Sequence, residues 1–493
     1  MLFNSIEFIL FFIAVLSVYF FLPLKYRILM LLVASCYFYM AFVPIYILIL
    51  FITIVIDYFA GILIEKSEGK NRKILLILSL VSNIGILCYF KYFNFLNDNL
   101  SSLLQTFDLK NGISNLSILL PIGLSFHTFQ AMSYTIEVYR GNQKSEKNFV
   151  TYALYVMFFP QLVAGPIERP QNILNQFKIK HQFEYNRFAD GLKLMAWGFF
   201  KKVVIADRLS EMVDYVYNDP THYKGIPLII STIFFSIQIY CDFSGYSDIA
   251  LGSARMMGFD LMKNFDRPYA SKSIHEFWRR WHISLSTWFK DYLYIPLGGN
   301  RVVIWRKYYN LLIVFLISGL WHGASWNFII WGGIHGILLI ISSIIENISF
   351  IKIKISESRL FKSFASFFSI ILVFTLTSIA WIFFRASSFK DAYHVLKNLL
   401  KATKPQLKLI MNGNEESLKS LVYLGTDSIN FWIAIASIFL LFTIEYLQAK
   451  FALTYKLSKS NPIIRFSSYS IIILIILYFG VFNRNVQFIY FQF

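Results

Sequence analysis

Two histidines inside one apolar stretch are the side chains of this sequence best suited to carry out chemistry. His322 and His335 lie in residues 315–336, FLISGLWHGASWNFIIWGGIHG, a segment long enough to lie within a membrane. Because an ionisable side chain in hydrocarbon costs free energy, it is usually turned toward a cavity or a partner. A neutral imidazole is the usual general base near neutral pH, so His322 is predicted to deprotonate a hydroxyl that attacks an acyl group.

The two histidines need not act together. They are thirteen residues apart, and on one straight helix such positions point in different directions. Gly332 and Gly333 between them favour a kinked or broken helix, which in a membrane survives only where protein or a wet cavity surrounds it. The alternative for either histidine is a side chain that only hydrogen-bonds a neighbouring helix, and this alternative weighs more for His335.

A second group of candidate residues lies in the polar stretch 262–309, which contains SIHEFWRRWHISLSTWFKDYLYIPLGGNR. Its His275, Arg279 and His282 are spaced four and three residues apart, so on a helix they would share one face. We therefore predict an aromatic-rich helix at the membrane surface or dipping into it. The alternative is an interfacial helix whose long side chains reach toward water and take no part in chemistry.

Asp242 stands at the end of an apolar run, within CDFSGYSDIALG at residues 241–252. A carboxylate near a bilayer needs a partner, so we expect it to pair with a basic residue of the 262–309 stretch. The alternative is that it lines a substrate path.

Another polar motif, GPIERP at residues 165–170, predicts a rigid turn in which Glu168 and Arg169 form a local charge pair. No Ser-His-Asp order, glycine-rich nucleotide loop or Cys/His set with metal-ligand spacing is recognisable, so no metal site is predicted. The three cysteines fall within or at the ends of apolar runs and are interpreted as packing residues.

Membrane helices must position these candidate residues. The chain of 493 residues is 57% hydrophobic and only 15% charged, as expected for a protein surrounded by lipid. We predict an all-α polytopic membrane protein with about ten to twelve transmembrane or re-entrant helices, because the apolar runs are continuous and lack the alternation of barrel strands. The runs that indicate spans are 6–23, 28–42, 43–64, 74–93, 149–164, 225–241, 310–342, 364–384, 430–446 and 468–482.

The formal net charge of +18 could indicate a nucleic-acid partner. The basic residues, however, lie in short clusters between apolar runs, as the positive-inside rule places them on cytoplasmic loops. We therefore predict no nucleic-acid partner, and we place the clusters in the cytoplasm and the N-terminus and the 97–116 loop outside. The clusters are Lys25 and Arg27; Lys66, Lys70, Arg72 and Lys73; Arg140, Lys144 and Lys147; and the 262–309 stretch.

Several sequence blocks resemble one known family. QLVAGPIERP, DFSGYSDIALG, FWRRWHISLSTWFKDYLYIPLGGNR and GLWHGASWNFIIWGGIHG, followed by WIFFRAS and FIYFQF, resemble the membrane-bound O-acyltransferase family, most of all its bacterial alginate O-acetyltransferase branch. The resemblance implies helices around a central tunnel that links a cytoplasmic acyl donor to an outer acceptor. Without an internal repeat, residues 1–493 are predicted to form a single membrane domain, with a motif core near 117–342 and additional helices in 350–493.

The resemblance also implies roles for individual residues. His322 matches the catalytic histidine of the family, and His282 matches the second polar residue of the catalytic pair in the related teichoic-acid D-alanylation proteins. His335 matches a common second histidine without a secure role. The basic, tryptophan-rich 262–309 stretch would attract the phosphates of a coenzyme A donor. Candidates for the tunnel or donor site are His335, His275, Arg279, Arg280, Trp321, Asn327 and Asp242.

The function that this resemblance implies is acyl transfer in a bacterial cell membrane. Acetyl-CoA would be the donor, with no bound cofactor. The acceptor would be an extracytoplasmic partner, typically a hydrolase-fold acetyltransferase that decorates a polysaccharide, or the polysaccharide itself. One alternative is D-alanyl transfer of the teichoic-acid type. Another is a transporter that moves a polysaccharide precursor or acyl carrier without changing a covalent bond, although no inverted repeats are visible.

Overall fold

The computed structural model describes residues 1–118, 120–163, 165–347, 359–482 and 488–491. Within these ranges every regular element is a helix, so the all-α prediction is confirmed. Residues 350–358 of the predicted C-terminal addition and the last two residues of FIYFQF lie outside the described residues.

Seven helices in the described part of the chain are long and apolar enough to cross a membrane. A shorter apolar helix covers Ile6–Phe21. The prediction of ten to twelve spans included a run, 149–164, that the structure divides into two short helices on either side of Phe158, whose backbone is not helical. The run 310–342 contains two helices rather than one. The seven candidate spans are Pro44–Lys66, Gly69–Gln105, Ile226–Met256, Trp326–Glu346, Ser363–Arg385, Ser428–Phe451 and Pro462–Phe479.

The chain forms two compact units, Met1–Met195 with Tyr246–Lys263, and Ala196–Gly245 with Asn264–Phe493. The single membrane domain stays a prediction, because compactness alone does not test whether two units fold together. The first unit contains α1 (Ile6–Phe21), α2 (Leu24–Met40), α3 (Ile47–Lys66), α4 (Gly69–Leu87), α5 (Phe93–Gln105), α6 (Leu124–Arg140), α7 (Phe149–Met157), α8 (Phe159–Leu162), α9 (Pro170–Phe177) and most of α10 (Tyr185–Phe199).

Three buried polar side chains inside the first unit are paired with one another. Asp57 on α3 is buried, and its carboxylate accepts hydrogen bonds from Ser79 Oγ at 2.6 Å and Asn83 Nδ2 at 2.8 Å, both on α4. A charge or polar group within a membrane span needs such partners, because lipid offers none.

The second unit supplies all the histidines predicted to matter for chemistry. After α10 it continues through a π-helical segment, Phe200–Ala206. Its further helices are α11 (Asp207–Tyr217), most of α12 (Ile226–Met256), α13 (Ile274–Arg280), α14 (Ile283–Phe289), α15 (Ile304–His322), α16 (Trp326–Asn347), α17 (Arg359–Arg385), α18 (Phe389–Asn398), α19 (Thr403–Met411), α20 (Glu415–Leu421), α21 (Ser428–Phe451), α22 (Leu453–Ser458) and α23 (Pro462–Phe479).

Helices α15 and α16 form an antiparallel hairpin with backbone contact between them. The chain reverses between His322 and Trp326, and α16 continues without interruption through Gly332 and Gly333. The prediction of a helix broken at these glycines is therefore wrong. Gly332 instead allows close approach, since a Cβ there would lie 2.1 Å from the carbonyl oxygen of Phe315. Small residues serve the same purpose at many membrane helix interfaces.

Replacing Gly332 by alanine should push the hairpin apart. The new methyl group meets backbone, which cannot rotate away, so we expect a loss of about 1–3 kcal/mol of stability, as for other overpacked interfaces. Thermal unfolding in detergent would measure the effect. Gly333→Ala is the matched control, because its Cβ would meet only a leucine methyl at 3.5 Å and alanine favours helix by about 0.5–1 kcal/mol. Equal melting temperatures for the two variants would contradict this account of the hairpin.

The GPIERP turn of the first unit buries its acidic residue. Glu168 is fully buried, and its carboxylate accepts hydrogen bonds from Asn172 Nδ2 at 2.7 Å and from the backbone N–H of Met262. Burial raises the pKa of Glu168 from 4.5 to about 7, although these hydrogen bonds and the charge of Arg169 act in the opposite direction. The predicted local charge pair is thus secondary to the buried hydrogen bonds.

The raised pKa of Glu168 predicts a pH-dependent stability. The folded state holds the proton of Glu168 more tightly than the unfolded state does. The stability that Glu168 contributes is therefore fully present below pH 4.5 and is lost as the pH rises through about 7. Glu168→Gln removes this titration, so the variant should not lose stability across the window as wild type does. Relative to wild type, its free energy of unfolding should rise by roughly 3 kcal/mol, which a rising difference in melting temperature would report. A pH-independent offset from the altered hydrogen bonds cancels in this comparison. A difference that stays constant with pH would contradict the prediction.

Candidate active site

His322 ends α15 and lies in a pocket of aromatic rings. Its side chain is 3% exposed, and Gly323 follows it with an extended backbone that ends the helix. Rings from three helices and from the segment 488–491 surround the imidazole. Their centroid distances from it are 4.9 Å for Trp321, 5.1 Å for Trp331, 5.5 Å for Phe384 and 5.5 Å for Tyr490.

His282 lies next to this pocket in an uncommon backbone conformation. It has φ 42° and ψ 56° between α13 and α14, in the left-handed region that costs most residues free energy. The prediction that His282 shares a helix face with His275 and Arg279 is therefore wrong, because α13 ends at Arg280. Strained residues of this kind persist only where their surroundings fix them.

Asn264 provides that fixation. Its Oδ1 accepts hydrogen bonds from the backbone N–H of Ser284 at 3.3 Å and from Ser284 Oγ at 2.9 Å, and it lies 3.1 Å from Nδ1 of His282. The backbone N–H of Ile283 donates to the Asn264 carbonyl at 2.8 Å. Since this oxygen can only accept, Nδ1 of His282 carries the proton and Nε2 keeps its lone pair.

The two histidines predicted to be catalytic come together in the structure. The ring centroids of His282 and His322 are 6.5 Å apart, and Trp321 contacts both rings. His282 lies outside the seven candidate spans, and burial lowers the pKa of its imidazole, so the ring is neutral at physiological pH. The pocket therefore holds a neutral acceptor nitrogen beside a second buried imidazole.

His335 lies one tryptophan away from His322. The ring of Trp331 is 5.1 Å from His322 and 5.0 Å from His335, and Trp278 is 4.9 Å from His335. His335 is fully buried, and neither of its ring nitrogens has a hydrogen-bond partner within the described part of the chain. His335 therefore belongs to the same aromatic cluster as His322, to which Trp331 connects it.

The other sequence candidates have partners around this cluster. His275 lies 3.2 Å from Ser342 Oγ and 3.4 Å from Glu346 Oε1, both on α16. Asn327 is buried and donates from Nδ2 to the carbonyl of Ala386 at 2.8 Å. These contacts tie α13 and the end of α17 to α16.

The two predicted donor-binding arginines differ in their surroundings. Arg279 is exposed. Arg280 is half-buried and donates to Glu276 Oε1 at 2.6 Å. The described residues contain no group of three His, Cys, Asp or Glu side chains that could hold a metal ion.

Asp242 has a different ion-pair partner from the one expected. Its Oδ1 lies 2.8 Å from Nζ of Lys202 in the π-helical segment, whereas we expected a basic residue of the 262–309 stretch. Its Oδ2 accepts a hydrogen bond from the backbone N–H of Ile489 at 2.8 Å. The reason is tertiary: Lys202 is fully buried and faces α12, a placement that sequence distance does not reveal.

Sequence reasoning missed Asn264, Phe384 and Tyr490 as parts of the site. Phe384 and Tyr490 belong to the WIFFRAS and FIYFQF blocks that carried the family resemblance, so those blocks were the available signal. Asn264 lies beside no recognised block and could be found only from the fold.

Comparison with known proteins finds similarity to one enzyme family. The profile of the membrane-bound O-acyltransferase family matches residues 75–385, which include both catalytic candidates. A probable alginate O-acetylase of Azotobacter vinelandii is 40% identical over 401 residues, covering 80% of this chain and 77% of that protein. A peptidoglycan O-acetyltransferase of Helicobacter pylori is 35% identical over 397 residues, covering 75% and 73%.

A more distant relative has a different acyl group in its name. The teichoic acid D-alanyltransferase of Bacillus subtilis is 30% identical over 231 residues, covering 44% of this chain and 58% of that protein. Apolar helices, bacterial relatives and the family match together show a multi-pass bacterial membrane protein with O-acyltransferase activity. The chain belongs to the membrane-bound O-acyltransferase family.

Proposed function

We propose that this enzyme transfers an acetyl group from cytoplasmic acetyl-CoA to a hydroxyl group on the outer side of the membrane. The observation that carries the proposal is the meeting of His322 and His282 at 6.5 Å in a buried aromatic pocket. Water is largely excluded from such a pocket, which strengthens each electrostatic interaction and protects a thioester from hydrolysis.

His322 is the general base in this proposal. It takes the proton of the acceptor hydroxyl as the hydroxyl oxygen attacks the thioester carbonyl. The tetrahedral intermediate then expels the coenzyme A thiolate, which receives that proton from His322, and the acetyl ester remains on the acceptor. One histidine therefore acts as base and then as acid, and no further reactant is needed.

His282 orients a reactant or assists the proton transfer. Because Nδ1 donates to Asn264, Nε2 is the ring nitrogen that carries the lone pair. It can accept a hydrogen bond from an amide N–H of the donor or from the acceptor hydroxyl. The contacts of Asn264 with His282 and Ser284 fix this ring before the substrate arrives, which lowers the entropic cost of reaching the transition state.

Support for acetyl-CoA comes from charge and from the relatives. The 262–309 stretch contains the exposed Arg279 and the half-buried Arg280, whose positive charges would attract the phosphate groups of the donor. Relatives covering three quarters or more of the chain are named as O-acetylases or O-acetyltransferases.

The proposed acceptor is a polysaccharide, reached directly or through an extracytoplasmic hydrolase-fold acetyltransferase. The names of the relatives, which mention alginate and peptidoglycan, support this class of polymer. D-alanyl transfer is the second candidate, supported by relatives such as the Bacillus subtilis protein, whose match covers 44% of the chain. Family membership argues against a transporter that makes and breaks no covalent bond.

Sealed proteoliposomes test the donor and the direction of transfer. Acetyl-CoA labelled on the acetyl group is placed on one side, and a soluble hydroxyl acceptor such as an oligosaccharide of the producing cell is placed on the other. We expect labelled ester only on the acceptor side, and only when the protein is present in the correct orientation. Label from a carrier-bound D-alanine donor in place of acetyl would favour the second candidate. Movement of an unmodified precursor without ester formation would refute acyl transfer as the function.

A further inference from the structure

The second unit contains a buried ion cluster that includes neither His282 nor His322. Lys202 is fully buried and places Nζ 2.8 Å from Asp207 Oδ1 and 2.8 Å from Asp242 Oδ1. Both carboxylates are also buried. The lysine belongs to the π-helical segment Phe200–Ala206, an irregularity that is frequent at functional sites. Ionisable groups buried in this way are expensive, so they call for an explanation.

The two aspartates of this cluster are not equivalent. Asp242 uses its second oxygen to accept the backbone N–H of Ile489 at 2.8 Å, at the start of the short helical turn Ile489–Phe491. Asp207 forms an ion pair with Lys202, and its backbone carbonyl accepts a hydrogen bond from Ser210 Oγ. Of the two carboxylates, that of Asp242 is the one that holds the backbone of residue 489.

The segment held by Asp242 forms one wall of the catalytic pocket. Phe488 and Ile489 are buried, and the ring of Phe243, next to Asp242 in the chain, lies 5.7 Å from Phe488 and 4.5 Å from Tyr490. The ring of Tyr490 is in turn 5.5 Å from His322 and 6.4 Å from His282. The position of Tyr490 relative to both histidines therefore depends on where residue 489 is anchored.

We propose that Asp242 is a positioning residue for acyl transfer. Its carboxylate, neutralised by Lys202, anchors Ile489 and so holds the ring of Tyr490 against the histidine pair. The inference rests on the proposed function, because the histidines give the wall its purpose. An isolated carboxylate would be too costly to bury here, which explains why the anchor needs a buried lysine.

Asp207 supplies a matched control. Asp207→Asn and Asp242→Asn each remove one carboxylate from Lys202. If both aspartates served only to pair with Lys202, the two variants would have similar exchange at residue 489 and similar kcat. Only substitution at 242 alters the acceptor of the Ile489 N–H. Asp242→Leu removes that acceptor, whereas Asp242→Asn retains an oxygen that can still accept the bond without a full charge.

Two measurements on the full chain in nanodiscs test the proposal. Hydrogen exchange followed by mass spectrometry reports on the Ile489 amide directly. We expect at least about tenfold faster exchange in Asp242→Leu, a smaller change in Asp242→Asn, and wild-type exchange in Asp207→Asn. The kcat of steady-state acetyl transfer should fall most in Asp242→Leu, less in Asp242→Asn and not in Asp207→Asn. The KM for the donor should be unchanged, because the donor site itself is left intact.

The outcomes separate this proposal from the catalytic assignment. Equal exchange and equal kcat in Asp207→Asn and Asp242→Asn would overturn the anchor, as would faster exchange at 489 with undiminished kcat. If Asp242→Leu does not fold, the contrast between the two asparagine variants decides. Exchange in the expected order together with full activity of His322→Ala would refute the catalytic role of His322 while leaving the anchoring of residue 489 in place.

Discussion

Replacing His322 by alanine should lower acetyl transfer by about 10²–10⁴-fold, the usual contribution of a positioned general base. The loss should appear in kcat more than in the KM for acetyl-CoA, because the imidazole acts on the attacking hydroxyl rather than on the bound donor. The ring is buried among the aromatic side chains of α15, α16 and α17, so the variant leaves a cavity that water can enter. Transfer from labelled acetyl-CoA in proteoliposomes measures the effect.

His394→Ala is a suitable control for the loss of an imidazole. His394 lies on α18, is half-buried, and makes a 3.2 Å contact with the carbonyl of Tyr223, away from the proposed chemistry. We expect this variant to keep wild-type transfer. A monodisperse His322→Ala protein with undiminished transfer would remove His322 from the mechanism.

His322 could be singled out as a candidate because its surroundings in the sequence are apolar for a full membrane thickness. The shape of the hairpin could not be predicted. A continuous apolar run from 310 to 342 has the same hydropathy whether it forms one kinked helix or two antiparallel helices. The glycine pair suggested a break, yet in lipid an interrupted backbone must find new partners, and an unbroken α16 avoids that cost. Gly332 is used for close packing instead.

The position of His282 shows a second limit of sequence patterns. Spacing of three and four residues predicted one helical face for His275, Arg279 and His282, but the helix ends at Arg280. The break exists because Asn264, eighteen residues earlier, binds His282 and Ser284 and stabilises a left-handed backbone. A local period carries no information about such a distant partner. Family resemblance grouped His282 with His322, and the two rings lie 6.5 Å apart, whereas periodicity grouped it with the wrong residues.

Lys202→Met should be among the most destabilising single substitutions in this chain. It leaves the carboxylates of Asp207 and Asp242 buried near each other without the ammonium group that now lies 2.8 Å from each. Removing one partner of a buried ion pair typically costs about 3–5 kcal/mol, because the remaining charge is uncompensated. We expect a marked fall in melting temperature and in the yield of monodisperse protein in detergent. Lys193→Met is the control, since Lys193 pairs with Asp190 at the surface, where such pairs contribute about 0–1 kcal/mol.

A triple variant separates the two roles of this cluster. Lys202→Met combined with Asp207→Asn and Asp242→Asn removes all three charges while keeping similar volumes, and replacing a whole buried ion network is often neutral for stability. We expect the triple variant to regain most of the melting temperature lost by Lys202→Met. Its kcat should remain below that of wild type by about as much as in Asp242→Asn, because the acceptor for Ile489 no longer carries a full charge. Recovery of wild-type kcat together with stability would mean that the cluster only balances charge, and unchanged stability of Lys202→Met would contradict the burial argument itself.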